Sequence, residues 1–249
     1  DYVLLGQVPP QDGPRQGFSE TLAAFGLVPD LMTQGGDLKG FVSGRPERLS
    51  LLAMRDRPDV FDTAERVAAK LGCPVAAGTR YTVNVTPRKP DGDIATFDWL
   101  QKQSQGVKRL GVLRMDVDDL GDLFRWGMTG NATLSRVAAL NLALTLFFEG
   151  WVGQLCRRVN AGDRGDLVYA IYSGGDDLFI VGAWDVLPGL AHAIHEDLGR
   201  FAAGHPDVHL SGGLTLHAGK YPLYQAAADA DQALDAAKDL ERAGKDTGH

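Results

Sequence analysis

The residues best suited to do chemistry are two adjacent aspartates, Asp176 and Asp177, in the stretch YSGGDDLFIVG from Tyr172 to Gly182. The apolar runs on either side, Leu167–Tyr172 and Leu178–Val181, are rich in β-branched, aromatic and aliphatic side chains and read as strands. Gly174-Gly175 between them signals a tight turn, because glycine takes positive φ at little steric cost. The two carboxylates therefore fall at the tip of a β-hairpin, where they repel each other. A divalent cation relieves that repulsion, and magnesium prefers carboxylate oxygen. The bland alternative is an acidic hairpin turn with no ligand.

A second acidic cluster lies upstream in GVLRMDVDDLG, Gly111 to Gly121. A buried strand, VLRM, runs straight into Asp116, Asp118 and Asp119. Alternation puts Asp116 and Asp118 on one face while the chain stays extended. The two acidic strand ends are roughly 60 residues apart and converge if their strands are neighbours in one sheet. Such a cage of carboxylates, open to phosphates, suits two-metal phosphoryl or nucleotidyl transfer. The competing reading of Asp118 is a helix N-terminal charge, and that of Asp119 a solvated or capping residue.

The elements that must position these residues follow from the pattern. Residues 106–249 give a strand at Arg109–Met115 and a long helix over Thr133–Arg158, anchored by Leu134, Val137, Ala138, Leu142, Leu146 and Trp151. The hairpin follows, then a helix over Leu187–Ala203. A strand over Val208–Leu216 has a bulge expected at Gly212-Gly213, and a last helix runs from Pro222 to Arg242. The order β-α-β-β-α-β-α is the α+β ferredoxin-like plan with an added helix, a palm. In that plan the first and third strands are central neighbours, so Asp116 and the 176–177 turn are expected at one rim.

Residues 1–105 read as a separate, small, strand-rich α+β module. Its strand-like runs are Val3–Leu5, Phe41-Val42, Leu49–Met54 and Tyr81–Val85, and one helix spans Val60–Leu71. It ends in ATFDWLQKQSQGVKRLG, a short helix and basic turn, and holds no catalytic constellation.

Composition narrows the classes. The chain has 249 residues, 44% of them hydrophobic, enough for a real core. Its formal charge of −7 argues against strong non-specific nucleic-acid binding by this segment alone. No apolar run approaches the ~20 residues that span a bilayer, so no membrane association is expected. The chain does not begin with Met and reads as a fragment or processed form. Cys73 and Cys156 have no metal-type spacing and read as reduced thiols of a cytoplasmic protein. His192 and His195, three apart on a helix, could ligate a metal but read as surface residues.

The succession DVDDLG, SGGDDLFIVG, LSGGLTL and YPLYQAAADADQALDAAK resembles the GGDD palm, a polymerase or cyclase domain, of the large subunit of type III CRISPR effector complexes. The likeness covers residues 95–249; residues 1–94 would correspond to the region between that subunit's two palms. More distantly, the chain is similar to GGDEF-type nucleotidyl cyclases. The resemblance implies that ATP is joined into cyclic oligoadenylates, with release of pyrophosphate, when a complex carrying guide RNA has bound target RNA. It implies that Asp116 and one or both of Asp176 and Asp177 hold two Mg²⁺ or Mn²⁺ ions, with the Val117 carbonyl as a further ligand. It implies that Lys238 faces nucleotide phosphates, that Gly174 and Gly175 admit a nucleotide, and that Ser173 touches ribose or base. Read without it, Lys238 is a surface lysine paired with Asp235 or Glu241, and Ser173 is strand-end polarity. Other subunits of the complex are the implied partners, and a second palm elsewhere is needed to close a ring.

The chain departs from the family at Asp119, where relatives commonly have Asn, and it lacks an HD dipeptide and the family's zinc-binding cysteines. Two alternatives stay open: a GGDEF-like synthase of a cyclic dinucleotide, and a non-catalytic palm scaffold.

Overall fold

The structure is a computed structural model that describes residues 2–7, 22–23, 27–32, 46–53, 59–79, 83, 85–121, 133–206 and 208–246. The chain divides into two compact units, Asp1–Tyr81 and Thr82–His249.

The first unit is a four-stranded sheet with one helix. Its strands are β1 (Tyr2–Gln7), β2 (Leu27–Met32), β3 (Arg48–Ala53) and β4 (Val75–Thr79), in the order β2-β1-β3-β4. Helix α1 (Val60–Leu71) makes the crossover between the parallel neighbours β3 and β4. It buries Val60, Ala64 and Val67 with Tyr2, Leu4, Leu49, Leu51 and Ala53. The expected helix and the run at Val3–Leu5 are present in these elements, and the run expected at Leu49–Met54 is strand as far as Ala53, Met54 lying outside the described residues. β2 and β4 escape pattern reading for physical reasons. β2 carries Pro29, which only an edge strand tolerates, and it is an edge. β4, VAAGT, is small-residue sequence with little strand propensity. The run expected at Phe41-Val42 lies outside the described residues.

The second unit holds helices α2 (Phe97–Gln103), α3 (Leu134–Asn160), α4 (Leu187–Phe201) and α5 (Leu223–Asp246). Its strands are β5 (Leu110–Val117), β6 (Val168–Gly174), β7 (Asp177–Ala183) and β8 (Leu210–His217). The sheet is antiparallel throughout, in the order β6-β7-β5-β8. This is the ferredoxin-like arrangement, with the first and third strands central. One face packs against α3 and α4 through Leu113, Met115, Leu178, Ile180, Phe147, Phe148, Val152, Ile194 and Leu198. The other packs against α2 and α5 through Leu110, Val112, Val181, Leu100, Ala226 and Ala230.

Four features differ from the sequence pattern. Residues 82–105, grouped by pattern with the first module, pack within the second unit. Leu100 is fully buried against β5, and Val85 bridges to Ala170. Of the run expected at Tyr81–Val85, only Val83 and Val85 are described, and they line this core.

The helix anchors are a second difference. Leu134, Val137, Leu142, Leu146 and Trp151 are exposed, while Leu144, Phe147, Phe148, Val152, Leu155 and Cys156 are buried. The helix is apolar on more than one side, so periodicity alone could not choose the face. A π-helical turn at Leu146–Trp151 also rotates the second half relative to the first.

The same helix is long and apolar enough, by length and composition, to cross a bilayer. A search for unbroken apolar runs passes over it because Arg136 and Glu149 interrupt it. Its inner side packs on the sheet in the main core.

Finally, β8 shows no bulge at Gly212-Gly213; its register against β5 is unbroken from Leu210 to His217. Gly213 is there for a different reason. A Cβ on it would lie 2.4 Å from both the Ala230 carbonyl oxygen and the Leu234 nitrogen, so α5 rests directly on the strand. The irregularity in the sheet is in β6, between Ala170 and Tyr172.

Candidate functional site

The site is built where three strands end side by side. Asp116 on β5 stands opposite Asp177 on β7 and opposite Ser211 on β8. Directly opposed residues in an antiparallel pair have Cα atoms about 4.5–5.5 Å apart, so the two acidic segments meet at one rim, as the palm plan requires. The Val117 N–H donates to the Asp176 carbonyl at 3.0 Å, and the Asp118 N–H donates to the His209 carbonyl at 3.0 Å. The backbone itself thus fixes the spacing of the carboxylates.

The hairpin turn is one residue further on than the glycine pair suggests. Gly174 pairs with Asp177, which leaves Gly175 and Asp176 as the two-residue loop. Gly175 has φ +70 and no atom within 4 Å of a would-be Cβ. Glycine in the left-handed region at the first loop position is what a primed hairpin turn needs.

The carboxylates differ in their surroundings. Asp116 accepts a charged hydrogen bond from Lys238 Nζ, which reaches down from α5. The same ammonium lies 3.8 Å from Asp118 Oδ1. Asp118 is buried, at 6% exposure, and its Oδ2 accepts from the Ser211 hydroxyl at 2.8 Å. Asp177 lies 3.5 Å from Arg114 Nη2, and Arg114 Nη1 lies 2.9 Å from Asp231 on α5. Asp176, at the turn, makes no ion pair among the described residues. Burial pushes its carboxyl above the usual carboxylate range, and the charge of Asp116 pushes it further. Tyr172 is likewise raised, first by burial and then by the charge of Asp177; its hydroxyl donates to the Gly174 carbonyl at 3.0 Å.

The residues singled out in the sequence now have places. Asp116, Asp176, Asp177, Val117 and Lys238 are gathered at the rim. Lys238 crosses to the sheet, where it pairs with Asp116; the side chain of Glu241 lies outside the described residues. Gly175 is exposed at the turn. Gly174 is buried, and a Cβ there would meet Glu149 Oε1 at 3.4 Å and the Tyr172 hydroxyl at 3.7 Å, so it offers a nucleotide no open approach. Ser173 is turned inward. It is 7% exposed, and its hydroxyl donates to the Phe148 carbonyl in the π turn at 2.7 Å. It ties the hairpin to α3 rather than facing a ribose or base. The reason is strand alternation: Ser173 pairs with Leu178 on the core face.

Asp118 is the residue that sequence reading undervalued. It stands two residues before the helical Leu120-Gly121 and is at the same time a buried partner of Ser211 and Lys238. The signal that could have found it is the DxD alternation itself. Asp119 takes φ +52 and is exposed. Arg114, two residues before Asp116 on the same strand face, was also missed. His195 Nδ1 is 3.2 Å from the Leu210 carbonyl, and His192 is exposed.

The donor chemistry here is all carboxylate and carbonyl oxygen, the kind that Mg²⁺ and Mn²⁺ take. The two acidic segments adjoin in register, and the mutual repulsion felt at Asp176 is what a cation would relieve. Among the described residues no three His, Cys, Asp or Glu groups are gathered about one point; the positive charge beside Asp116 and Asp118 is that of Lys238.

Comparison with known proteins agrees with this geometry. The family model "Cas10/Cmr2, second palm domain" matches residues 109–247, more than half of the chain. A relative from Methanocaldococcus jannaschii, the CRISPR system single-strand-specific deoxyribonuclease Cas10/Csm1 of subtype III-A, is 36% identical over 154 residues, which are 58% of this chain and 19% of the relative. The chain spans about a fifth of the length of the curated relatives it matches. Among solved structures, a Csm1–Csm4 cassette in complex with cA4 superposes with a TM-score of 0.64 at 28% identity, covering 86% of this chain and 29% of that one. A Csm1–Csm4 cassette in complex with one ATP gives a TM-score of 0.63 at 28% identity, covering 86% and 28%. The aspartate rim, the antiparallel palm and the matched span together place the chain in the Cas10/Cmr2 family, the large subunits of type III CRISPR effectors, of which it carries the second palm domain.

Proposed function

We propose that this palm is a nucleotidyltransferase that joins ATP into cyclic oligoadenylates within a type III interference complex that binds guide RNA and is switched on by target RNA. The observation that carries the proposal is the register of the sheet: Asp116 opposite Asp177, Asp176 at the adjoining turn, and Lys238 on Asp116 at the end of β5. Relatives of this palm in complex with ATP and with cA4 support the choice of nucleotide and product. Csm4 in those cassettes supports other type III subunits as partners; the reading takes the cytoplasm, away from membranes, as the place of work.

In this reading Asp116, the Val117 carbonyl and one or both of Asp176 and Asp177 hold two Mg²⁺ or Mn²⁺ ions, which lower the pKa of the attacking 3′-hydroxyl and neutralise charge on the triphosphate. The chain's own residues do the rest. Lys238 is released from Asp116 and turns its ammonium to the phosphates. Ser211 and Asp118 keep the end of β5 rigid. Gly175, open on one side, lets a nucleotide come close to the hairpin. Position and field, rather than a covalent intermediate, supply the catalysis.

The test is mass spectrometry of products from ATP, using the assembled complex with and without target RNA, for the wild type and for Asp176→Ala/Asp177→Ala. RNA-dependent adenylate rings, lost in the double variant, are expected. A dinucleotide ring made from GTP would instead support a GGDEF-like synthase. No product, with equal ATP and Mn²⁺ binding in both proteins, would leave the palm as a scaffold.

A further inference from the structure

The two hairpin aspartates are adjacent in sequence but not alike in space. Asp177 lies within ion-pair distance of Arg114, at 3.5 Å, and Arg114 is itself fastened to Asp231 on α5 at 2.9 Å. Arg114 is only partly exposed, at 28% of its side chain, as is Asp177 at 30%. Asp176 makes no such pair among the described residues and stands beside Asp116. We infer that Arg114 is a positioning residue: it holds Asp177 aside as a neutralised partner and so leaves Asp176 as the hairpin carboxylate that shares a cation with Asp116.

Three physical arguments support this. First, strand alternation puts Arg114 and Asp116 on the same face of β5, under α5. The guanidinium can therefore reach the hairpin without leaving the sheet. Secondly, arginine holds its planar fork with several donors, so one side chain can bridge carboxylates on two different elements. Thirdly, Asp231 and Lys238 are seven residues apart on α5, two helical turns, and so share a face. The Arg114–Asp231 pair thus also sets the position at which α5 lies on the sheet, and with it the reach of Lys238 to Asp116.

This inference rests on the reading of the palm as a cation-dependent nucleotidyltransferase, and the experiment separates the two. In the assembled complex, calorimetric binding of ATP with Mn²⁺ and the rate of product formation are measured for Asp176→Ala and Asp177→Ala, each with Arg114 and with Arg114→Ala. With Arg114 present, Asp176→Ala abolishes cation-supported binding, while Asp177→Ala retains it and lowers kcat. In the Arg114→Ala background the two single variants become alike. Arg114→Ala alone lowers kcat by about 100-fold, the cost of roughly 1 Å of misplacement, with a smaller change in KM. Arg114→Lys, which keeps the charge, recovers part of it. Equal losses for the two aspartate variants in the wild-type background would overturn the inference. So would an inequality that persists without Arg114, or an Arg114→Ala protein whose only defect is a lower melting temperature. A wild-type complex that neither binds ATP with Mn²⁺ nor turns it over would instead overturn the functional reading, and this inference with it.

Discussion

Lys238 and the acidic rim illustrate how charge is balanced one residue at a time. Asp116 and buried Asp118 both face the ammonium of Lys238, which is itself only 18% exposed. Removing that cation leaves two close carboxylates uncompensated. Lys238→Ala should therefore destabilise the cation-free protein by about 1–2 kcal/mol, less than the cost of breaking a fully buried pair. Millimolar Mg²⁺ should recover most of it. Thermal melts with and without Mg²⁺ check this, and an unchanged melting temperature in cation-free buffer would refute it. The variant should also raise the KM for ATP. Asp176→Ala/Asp177→Ala should act oppositely on stability. It removes the repulsion between Asp176 and Asp116, which outweighs the loss of the partly exposed Arg114–Asp177 pair, worth about 0–1 kcal/mol, so the fold persists and melts no lower than the wild type without cations, while product formation is lost. Unfolding of that double variant would make the hairpin acids structural rather than functional. Cys156 is inert by the same residue-level logic: burial pushes its thiol up to about 12, so it reacts with thiol reagents only on unfolding.

At the scale of elements, α5 matters because it rests on β8 with no side chain between them at Gly213. A methyl group there would collide with the backbone at Ala230 and Leu234. Gly213→Ala should lift α5 from the sheet and cost about 1–3 kcal/mol, the usual range for overpacking. Because α5 carries Lys238 and Asp231, nucleotide binding should fall with stability, as denaturant titration and ATP calorimetry would register. Besides the apolar packing of α2 on β7, Asp185 in the turn after β7 is tied to Arg164 by an ion pair and to the chain just after α2 by the Gln105 N–H. Burial pushes the Asp185 carboxyl up, but Arg164 at 2.6 Å and the Gln105 N–H at 2.9 Å outweigh it and hold it below the usual carboxylate range. A depressed folded-state value means this stabilisation is present above the ordinary aspartate range and is lost as pH falls through the folded value. Asp185→Asn should therefore flatten the acid limb of the stability profile below about pH 4 and leave its slope near neutrality unchanged. An acid limb of unaltered steepness would exclude this pair as its source.

The molecule as a whole divides at Tyr81/Thr82, and the division is testable. A chain beginning at residue 82 keeps Ala95 and Leu100 against Leu110 and Val112. It should fold as cooperatively as the second unit does in the full chain. A chain beginning at residue 106 loses that packing and uncovers the part of β5 that α5 does not cover; it should be less stable by several kcal/mol. Equal melting temperatures for the two truncations would move the boundary back to where composition alone suggests.

The sequence by itself determined the palm. Strand periodicity at Arg109–Met115 and through the hairpin, the glycine that a tight turn demands, and the order of helices and strands leave few topologies, and the one adopted brings Asp116 to Asp177. These are local signals, and backbone sterics translate them directly into elements. The tertiary structure alone decided what each polar group faces. That Ser173 points inward, that Asp118 is buried on Ser211 and Lys238, that Arg114 lies beside Asp177, and which side of α3 is buried all depend on segments distant in the chain. An apolar or charged side chain carries no record of its partner until packing brings that partner within a few ångströms.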